Sequence, residues 1–238
     1  MLKLNKKITP LSLAERYKNN GYIQIENILA SPDAQQLHEK FARQKEWNMA
    51  FRKLGAHQDL SYQSYLQWPE AHKKTLKSYL DDSAKREFQY CYQNIPIFDL
   101  CHNKQCHVAL FNSIYQFVNS SDFLNFAREL TNENKIDFAD CQMTFYQSGN
   151  FLNLHDDNVK NKGRIAAYVI NLTKNWKPDD GGDLSIEKTL SGKKIISSLP
   201  PTFNSLNIFS VPQDHQVNRI KDHSNLKRYA ITGWLRQS

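Results

Sequence analysis

Cysteine is scarce in this sequence, with four residues among 238. Small secreted domains that depend on disulfides use far more, so a disulfide framework is excluded and we predict reduced thiols. Two of the cysteines belong to the pairs Cys101-His102 and Cys106-His107, which contain metal-ligand types. Their spacing matches neither a zinc finger nor a zinc ribbon, and no second ligand pair follows them. We predict no metal there, and the role of this cluster stays open.

Long apolar runs are also missing. No uninterrupted apolar stretch is long enough to span a bilayer, and residues 1–7 are charged and lack the apolar core of a signal peptide. We therefore expect a soluble, cytoplasmic protein with no membrane partner. Repeats and low-complexity tracts are absent as well, and 40% hydrophobic and 12% aromatic residues suffice for a full core. We predict a single domain over residues 1–238, without a prediction of its oligomeric state.

A concentrated run of positive charge is missing too, although Lys and Arg outnumber Asp and Glu by 31 to 24, which gives a formal net charge of +7. The basic residues are spread along the chain and are not interleaved with aromatic ones, a distribution typical of a solvated surface. Direct nucleic-acid binding is therefore not expected. The excess of positive charge is compatible with attraction to a nucleoprotein such as the ribosome.

The sequence does contain a histidine and an aspartate at positions i and i+2, His155 and Asp157. Side chains two residues apart on a β-strand point to the same face, so these two would converge while Asp156 points away. A neutral imidazole and a carboxylate suit a divalent transition metal, but two ligands alone make a poor site. With His215 as the third ligand, the set becomes the facial triad of non-haem Fe(II) oxygenases.

The third ligand has two candidates, His215 and His223. His215 follows the apolar, strand-like run 206–211 and is followed by Val217, whereas His223 lies among polar, turn-forming residues typical of a surface. His223 is also only five residues before Arg228, too few to turn the chain and place both side chains around one ligand. We predict His215 as the metal ligand.

Arg228 opens a strand-like segment that continues to Leu235. The planar guanidinium binds a carboxylate through two parallel hydrogen bonds, as a dicarboxylate cosubstrate would require. Strand alternation puts Arg228 and Trp234 on one face of this segment, and we predict that this face lines a cavity.

Together, the H-x-D pair, the distal histidine and the run R-Y-A-I-T-G-W at residues 228–234 resemble the 2-oxoglutarate/Fe(II) dioxygenases, specifically their prolyl-4-hydroxylase-like branch. The resemblance is detailed over residues 22–28 and 141–236. It implies that His155, Asp157 and His215 bind Fe(II) and that O₂ takes a remaining position on the iron. It also implies a mainly β fold with flanking helices, the double-stranded β-helix or cupin-like jelly roll.

The same resemblance implies roles for four further residues. Tyr146 and Arg228 are expected to bind the far carboxylate of the cosubstrate 2-oxoglutarate. Arg164 and Trp234 are expected to contact the substrate. Ascorbate is expected to be needed to keep the iron reduced.

The two parts of the chain differ in their apolar period. Residues 1–134 are predicted to be a mostly helical support, with a helix over 11–19, a strand over 22–28 and a second helix capped by Ser31. The apolar period between residues 47 and 134 predicts further helices on the outside of the sheet. Residues 55–67 have no clear period, and we interpret them either as a mobile lid or as an ordinary surface loop.

From residue 135 to residue 238 the period changes to two, with short strands separated by turns such as Ser191-Gly192. Antiparallel strands of this kind can close into a jelly roll whose mouth binds a metal. We predict that residues 135–238 form the catalytic jelly-roll core.

The main hypothesis is an enzyme, a 2-oxoglutarate-dependent dioxygenase that hydroxylates a prolyl residue of a protein and releases succinate and CO₂. The translation apparatus is the expected source of the protein substrate. Two alternatives stay open: a hydroxylase of a free amino acid or other small molecule, and a jelly-roll module that binds metal without turnover.

Overall fold

The computed structural model describes residues 2–190 and 193–238, so the turn predicted at Ser191-Gly192 lies outside the described residues. In this part of the chain the α-helices are α1 (Leu11–Asn20), α2 (Ser31–Arg43), α3 (Tyr62–Leu66), α4 (Glu70–Ser83), α5 (Ile97–His102), α6 (Ala109–Val118) and α7 (Ser121–Thr131), with a 3-10 helix at Pro178–Asp180. None of these helices combines the length and the apolar character that a membrane span requires.

Antiparallel strands form the centre of the molecule. They are β1 (Tyr22–Glu26), β2 (Asn48–Lys53), β3 (Ala56–Ser61), β4 (Tyr90–Ile95), β5 (Phe138–Ala139), β6 (Gln142–Tyr146), β7 (Phe151–His155), β8 (Arg164–Asn171), β9 (Leu184–Leu190), β10 (Lys193–Leu199), β11 (Ser205–Ser210), β12 (His215–Val217) and β13 (Arg228–Arg236). The main path of pairing is β1-β11-β8-β13-β6-β4-β7-β12-β9-β10. Strands distant in sequence are thus neighbours, as in a jelly roll, and the predicted fold is confirmed.

β8 is buried along most of its length, with helices on one of its faces and a cleft on the other. In β8, Ile170 belongs to the core under the helices, whereas Val169 lines the cleft. Phe123 of α7 is fully buried and packs edge-to-face on Tyr168 of β8, with ring centroids 5.4 Å apart. Burial of one such side chain contributes about 1.5–3 kcal/mol, so the helical layer stabilises the sheet that carries the cleft.

The predicted helix–strand–helix at the start of the chain is present with small differences in its ends. Gly21 ends α1 with φ 72°, the left-handed conformation that favours glycine. The strand stops at Glu26 because Asn27 is also left-handed, with φ 54°. Ser31 was predicted as the cap of α2, but Ala30 occupies the cap position and Ser31 is the first residue of the helix.

The stretch 47–134, predicted to be mostly helical, contains α3 to α7 and also the strands β2, β3 and β4. β2 and β3 form a hairpin whose two turn residues, Leu54 and Gly55, both have positive φ, 52° and 76°. Asparagine or aspartate normally occupies the first position of such a turn, and the leucine here conceals the signal. The stretch 55–67, predicted as a lid or loop, is instead β3 followed by α3.

Gly233 permits the close approach of β13 to the segment before β6. A Cβ atom at this position would lie 2.0 Å from the carbonyl oxygen of Asp140. We expect Gly233→Ala to lower the free energy of unfolding by roughly 3 kcal/mol, because the added methyl group pushes two paired segments apart. Urea denaturation followed by circular dichroism measures the loss.

Gly55→Ala is the matched control for this prediction. Its nearest non-bonded atom would be 3.9 Å away, so only its left-handed backbone opposes the substitution. We expect a cost of about 1 kcal/mol there. Equal losses at the two glycines would contradict the steric explanation for Gly233.

Candidate active site

The three predicted metal ligands lie together at one end of the barrel. His155 is the last residue of β7 and His215 is the first of β12, and the two are paired across the strands. Their Nε2 atoms lie 3.2 Å and 3.4 Å from the two carboxylate oxygens of Asp157. One ligand atom from each residue lies within 4.8 Å of the others, so the three side chains can hold one metal ion.

Strand alternation does not explain the position of the Asp157 carboxylate. β7 ends at His155, and Asp157 follows it in a loop with φ 61°. The expectation that the two side chains converge as neighbours on one strand is therefore wrong in its mechanism. A left-handed residue turns the carboxylate back toward the imidazoles, and this conformation is uncommon for a residue other than glycine.

The hydrogen bonds of the two imidazoles orient them for metal binding. Nδ1 of His155 donates to the carbonyl oxygen of Asn153 at 2.9 Å, and Nδ1 of His215 donates to that of Gln213 at 2.7 Å. A carbonyl can only accept, so in each neutral ring the lone pair is on Nε2. Two lone pairs then face the Asp157 carboxylate, an arrangement that a bound cation stabilises.

The charge state of the triad also suits a cation. Burial and the neighbouring His155 lower the pKa of His215 to about 4, so this imidazole is neutral at physiological pH. Burial raises the pKa of Asp157, but its interactions with His155 and His215 together lower it by more, and the net shift is downward. At neutral pH the site therefore presents one carboxylate and at least one neutral imidazole.

Arg228 lies deeper in the barrel and is 1% exposed. It is paired in register with Tyr146 of β6, and its guanidinium carbon lies 5.0 Å from the centroid of the Tyr146 ring. Within the described part of the chain no carboxylate lies at ion-pair distance from it, and its Nε has no hydrogen-bond partner. A buried charge without a partner is costly, so this guanidinium is suited to an anionic ligand.

One cleft of about 810 Å³ joins the triad to Arg228. Tyr146 and Trp234 also line it, so alternation along β13 places Arg228 and Trp234 on the cleft side as predicted. Tyr229 and Ile231 of the same strand point into the core under the helices. A ligand with one end on a metal and a carboxylate at the other end fits this arrangement.

Arg164 and Trp234, the expected substrate contacts, lie against each other beside the triad. The guanidinium carbon of Arg164 is 3.4 Å from the centroid of the Trp234 ring. Nη1 of Arg164 donates to the backbone carbonyl oxygen of Asp157 at 3.0 Å. Both residues line the cleft, and their contact with substrate stays a prediction.

β4, β2 and β3 form a wall of the cleft that was not predicted from the sequence. The ring centroids of Phe88 and His155 lie 5.0 Å apart. Tyr92 stacks on Tyr146, and their ring centroids are also 5.0 Å apart. Tyr90, between them, makes a hydrogen bond of 2.7 Å to Nδ1 of His57 on β3. The alternating aromatics at positions 88, 90 and 92 were a usable signal, because a period of two indicates a strand.

The remaining candidates lie outside this site. The His223 ring is 62% exposed and contacts Asp179, at the surface as predicted. Among the described residues, His155, Asp157 and His215 form the one group of three that could hold a metal ion. No such group among these residues includes Cys101, His102, Cys106 or His107. The four cysteines are free thiols.

The family model of the 2OG-Fe(II) oxygenase superfamily matches residues 141–236. Residues 141–236 belong to this superfamily. The matched segment contains the triad, Tyr146, Arg164, Arg228 and Trp234, and the resemblance predicted from the sequence is confirmed. The predicted enzyme class, an oxidoreductase that uses 2-oxoglutarate, agrees with this family match.

Two relatives of this chain share one name. The chain is 29% identical over 172 residues to the prolyl 3-hydroxylase OGFOD1 of Mus musculus, which is 69% of this chain and 29% of the mouse protein. It is 28% identical over 143 residues to the Xenopus laevis protein of that name, 58% of this chain and 26% of the other. The chain therefore matches less than a third of the length of these relatives.

Solved structures share the fold. A prolyl-4-hydroxylase from Pseudomonas putida superposes with a TM-score of 0.61 at 16% identity, over 96% of this chain and 99% of that one. A prolyl hydroxylase from Trichoplax adhaerens, in complex with a fragment of hypoxia-inducible factor, superposes with a TM-score of 0.57 at 16% identity. The superposition covers 96% of this chain and 89% of that one. At this level of identity the likeness establishes the jelly roll alone.

Proposed function

We propose that this oxygenase is an Fe(II)- and 2-oxoglutarate-dependent dioxygenase that hydroxylates a prolyl residue of a protein and releases succinate and CO₂. The observation that carries the proposal is the Arg228 guanidinium, buried without a carboxylate partner in the same cleft as a His-Asp-His triad. A metal site alone would not need it. A cosubstrate that binds the metal at one end and carries a carboxylate at the other needs such a guanidinium.

Each group of the chain has a distinct task in this reaction. His155, Asp157 and His215 would hold Fe(II) on one side, which leaves its other positions open to ligands. Bound Fe(II) supplies the activation of O₂ that oxidises cosubstrate and substrate. Arg228 binds and orients the far carboxylate of 2-oxoglutarate, next to the Tyr146 hydroxyl, and burial of both residues keeps water from this end of the cleft.

The wall formed by β4, β2 and β3 supports a protein as the substrate. The cleft that contains the triad is also lined by Phe88, Tyr90, Tyr92, Phe98 and Asp99. The aromatic side chains can pack on a prolyl ring, and the cleft volume of about 810 Å³ exceeds what a free amino acid needs. The solved relative from Trichoplax adhaerens is in complex with a peptide fragment, in the same fold.

Three finer features belong to the proposal. The protein substrate belongs to the translation apparatus, which the formal net charge of +7 supports through attraction to nucleoprotein surfaces. The enzyme acts in the cytoplasm, where its free cysteines stay reduced. Ascorbate maintains the iron as Fe(II) between turnovers.

Spectroscopy and mass spectrometry test the two parts of the proposal. Under anaerobic conditions, Fe(II) and 2-oxoglutarate should give a visible charge-transfer band with the wild type and none with Asp157→Ala. Absence of the band in the wild type would exclude the proposed chemistry. Cells that lack the enzyme should lose the mass of one oxygen on a prolyl residue of a protein, and wild type but not Asp157→Ala should restore it.

Two other outcomes would replace the proposal. Loss of hydroxylation on a small molecule alone would identify the enzyme as a small-molecule hydroxylase. Metal binding without succinate formation in the presence of cell lysate would identify a module that binds metal without turnover.

A further inference from the structure

The loop that carries the Asp157 carboxylate is attached to the last strand at its far end. Nε of Arg236 donates to the carbonyl oxygen of Lys162 at 2.7 Å. The backbone N–H of Gln237 donates to the carbonyl oxygen of Gly163 at 2.9 Å. Gly163 is left-handed, with φ 59°, and a Cβ there would lie 2.2 Å from the Gln237 carbonyl oxygen. The backbone that leads into Arg164 is therefore held tightly against β13.

Arg164 links this anchored end to the metal ligand. Its Nη1 donates to the backbone carbonyl oxygen of Asp157 at 3.0 Å and lies 3.7 Å from the carboxylate Oδ1. Asp157 has the left-handed backbone that turns its carboxylate toward the histidines. A donor on its carbonyl oxygen opposes rotation of this peptide unit, and so stabilises a conformation that the loop alone does not favour.

Trp234 in turn holds Arg164. The guanidinium lies 3.4 Å from the centroid of the Trp234 ring, so one flat face of the arginine is covered. The Trp234 backbone N–H donates to Oδ1 of Asp140 at 2.7 Å, and Nη1 of Arg236 lies 3.4 Å from the other carboxylate oxygen. Asp140 thus fixes the strand segment that carries the tryptophan.

We propose that Arg164 is a positioning residue, seated on Trp234, that holds Asp157 in its metal-binding conformation. The inference rests on the proposed metal site and assigns Arg164 and Trp234 a role before any substrate binds. It differs from the substrate contact that the family resemblance implies, because a substrate contact leaves the metal affinity unchanged. Loss of a group that orients a metal ligand typically weakens metal binding by about 10- to 100-fold.

Binding of Mn(II) alone, without 2-oxoglutarate or substrate, tests this role. Electron paramagnetic resonance of free Mn(II) gives the dissociation constant directly. We expect Arg164→Gln to weaken Mn(II) binding by roughly 10- to 100-fold, and Arg164→Lys, which keeps a donor but not the stacked plane, to fall between this variant and the wild type. Trp234→Leu removes the ring under the arginine and should weaken binding about 10-fold, whereas Trp234→Phe, which keeps an aromatic ring, should stay within about twofold.

Arg219→Gln is the matched control, because the Arg219 guanidinium also lies over an aromatic ring, that of Phe151 at 4.1 Å, and pairs with Asp81 outside the cleft. It should bind Mn(II) as the wild type does.

Wild-type affinity in both Arg164→Gln and Trp234→Leu would overturn the positioning role, and an altered KM for substrate alone would return Arg164 to a substrate contact. If the wild type binds no Mn(II), the proposed metal site and this inference both fail. Far-ultraviolet circular dichroism verifies that each variant is folded, and Arg164→Lys tests the role if Arg164→Gln is not.

Discussion

His215→Ala should abolish binding of Fe(II) and turnover of 2-oxoglutarate. The imidazole is 3% exposed and its Nε2 faces the Asp157 carboxylate, so it would supply one of the three ligands of the proposed metal site. With two ligands left, the site lacks the facial arrangement that holds the iron. Anaerobic titration with Fe(II) and an assay of succinate formation measure the two losses.

His223→Ala is the matched control, since it is the other histidine of the same segment. Its ring is 62% exposed, and its ionic contact within the described part of the chain is with the surface carboxylate of Asp179. We expect iron affinity and turnover within about twofold of the wild type, because an exposed pair of this kind contributes little. The reverse pattern in the two variants would move the third ligand and invalidate the strand alignment that places Arg228 in the cleft.

Arg228→Met should have two effects of opposite sign. In the absence of 2-oxoglutarate, the variant should be more stable than the wild type by about 1 kcal/mol or more, because it removes a buried charge that has no carboxylate partner. Binding of 2-oxoglutarate should fall by about 100-fold, which corresponds to about 2.7 kcal/mol, since truncation of one partner of a buried charged pair costs roughly 2–5 kcal/mol. Thermal unfolding with and without 2-oxoglutarate and Mn(II) measures both effects.

The cosubstrate should therefore reverse the order of stability. At 2-oxoglutarate concentrations near 100 times the wild-type dissociation constant, the wild type gains about 2.7 kcal/mol and the variant gains almost nothing. Arg219→Met is the control, because Arg219 is partly exposed and pairs with Asp81 at 2.9 Å, away from the triad. A variant at Arg228 that still gains stability from 2-oxoglutarate would show that the carboxylate is bound elsewhere.

The hairpin of β2 and β3 shows where prediction from local sequence fails. The fold class followed from the period of two after residue 135 and from the motif resemblance, and it is confirmed. The hairpin did not follow, because Leu54 occupies a turn position that asparagine or aspartate usually marks, and β3 is exposed at most of its positions. Without an apolar stripe, a strand at the edge of a sheet has no periodic signal.

The roles of Arg164 and Trp234 show a second limit. The family resemblance led to an expectation of substrate contact for both residues. Their mutual stacking and the hydrogen bond to Asp157 depend on the register of β13 against β8, in which Trp234 is paired with Ala167. Register is a property of paired strands and is not encoded at either residue alone.

The sequence by itself determined the chemical groups of the site and their order along the chain. Imidazole, carboxylate and guanidinium are properties of residue type, so His155, Asp157, His215 and Arg228 could be selected before any fold was known. The tertiary structure alone decided how these groups meet. The pairing of β7 with β12 aligns the two histidines, the left-handed backbone of Asp157 returns its carboxylate to them, and β2 to β4 add a wall from a distant part of the chain. Contacts between residues far apart in sequence depend on strand pairing and packing, which no local pattern specifies.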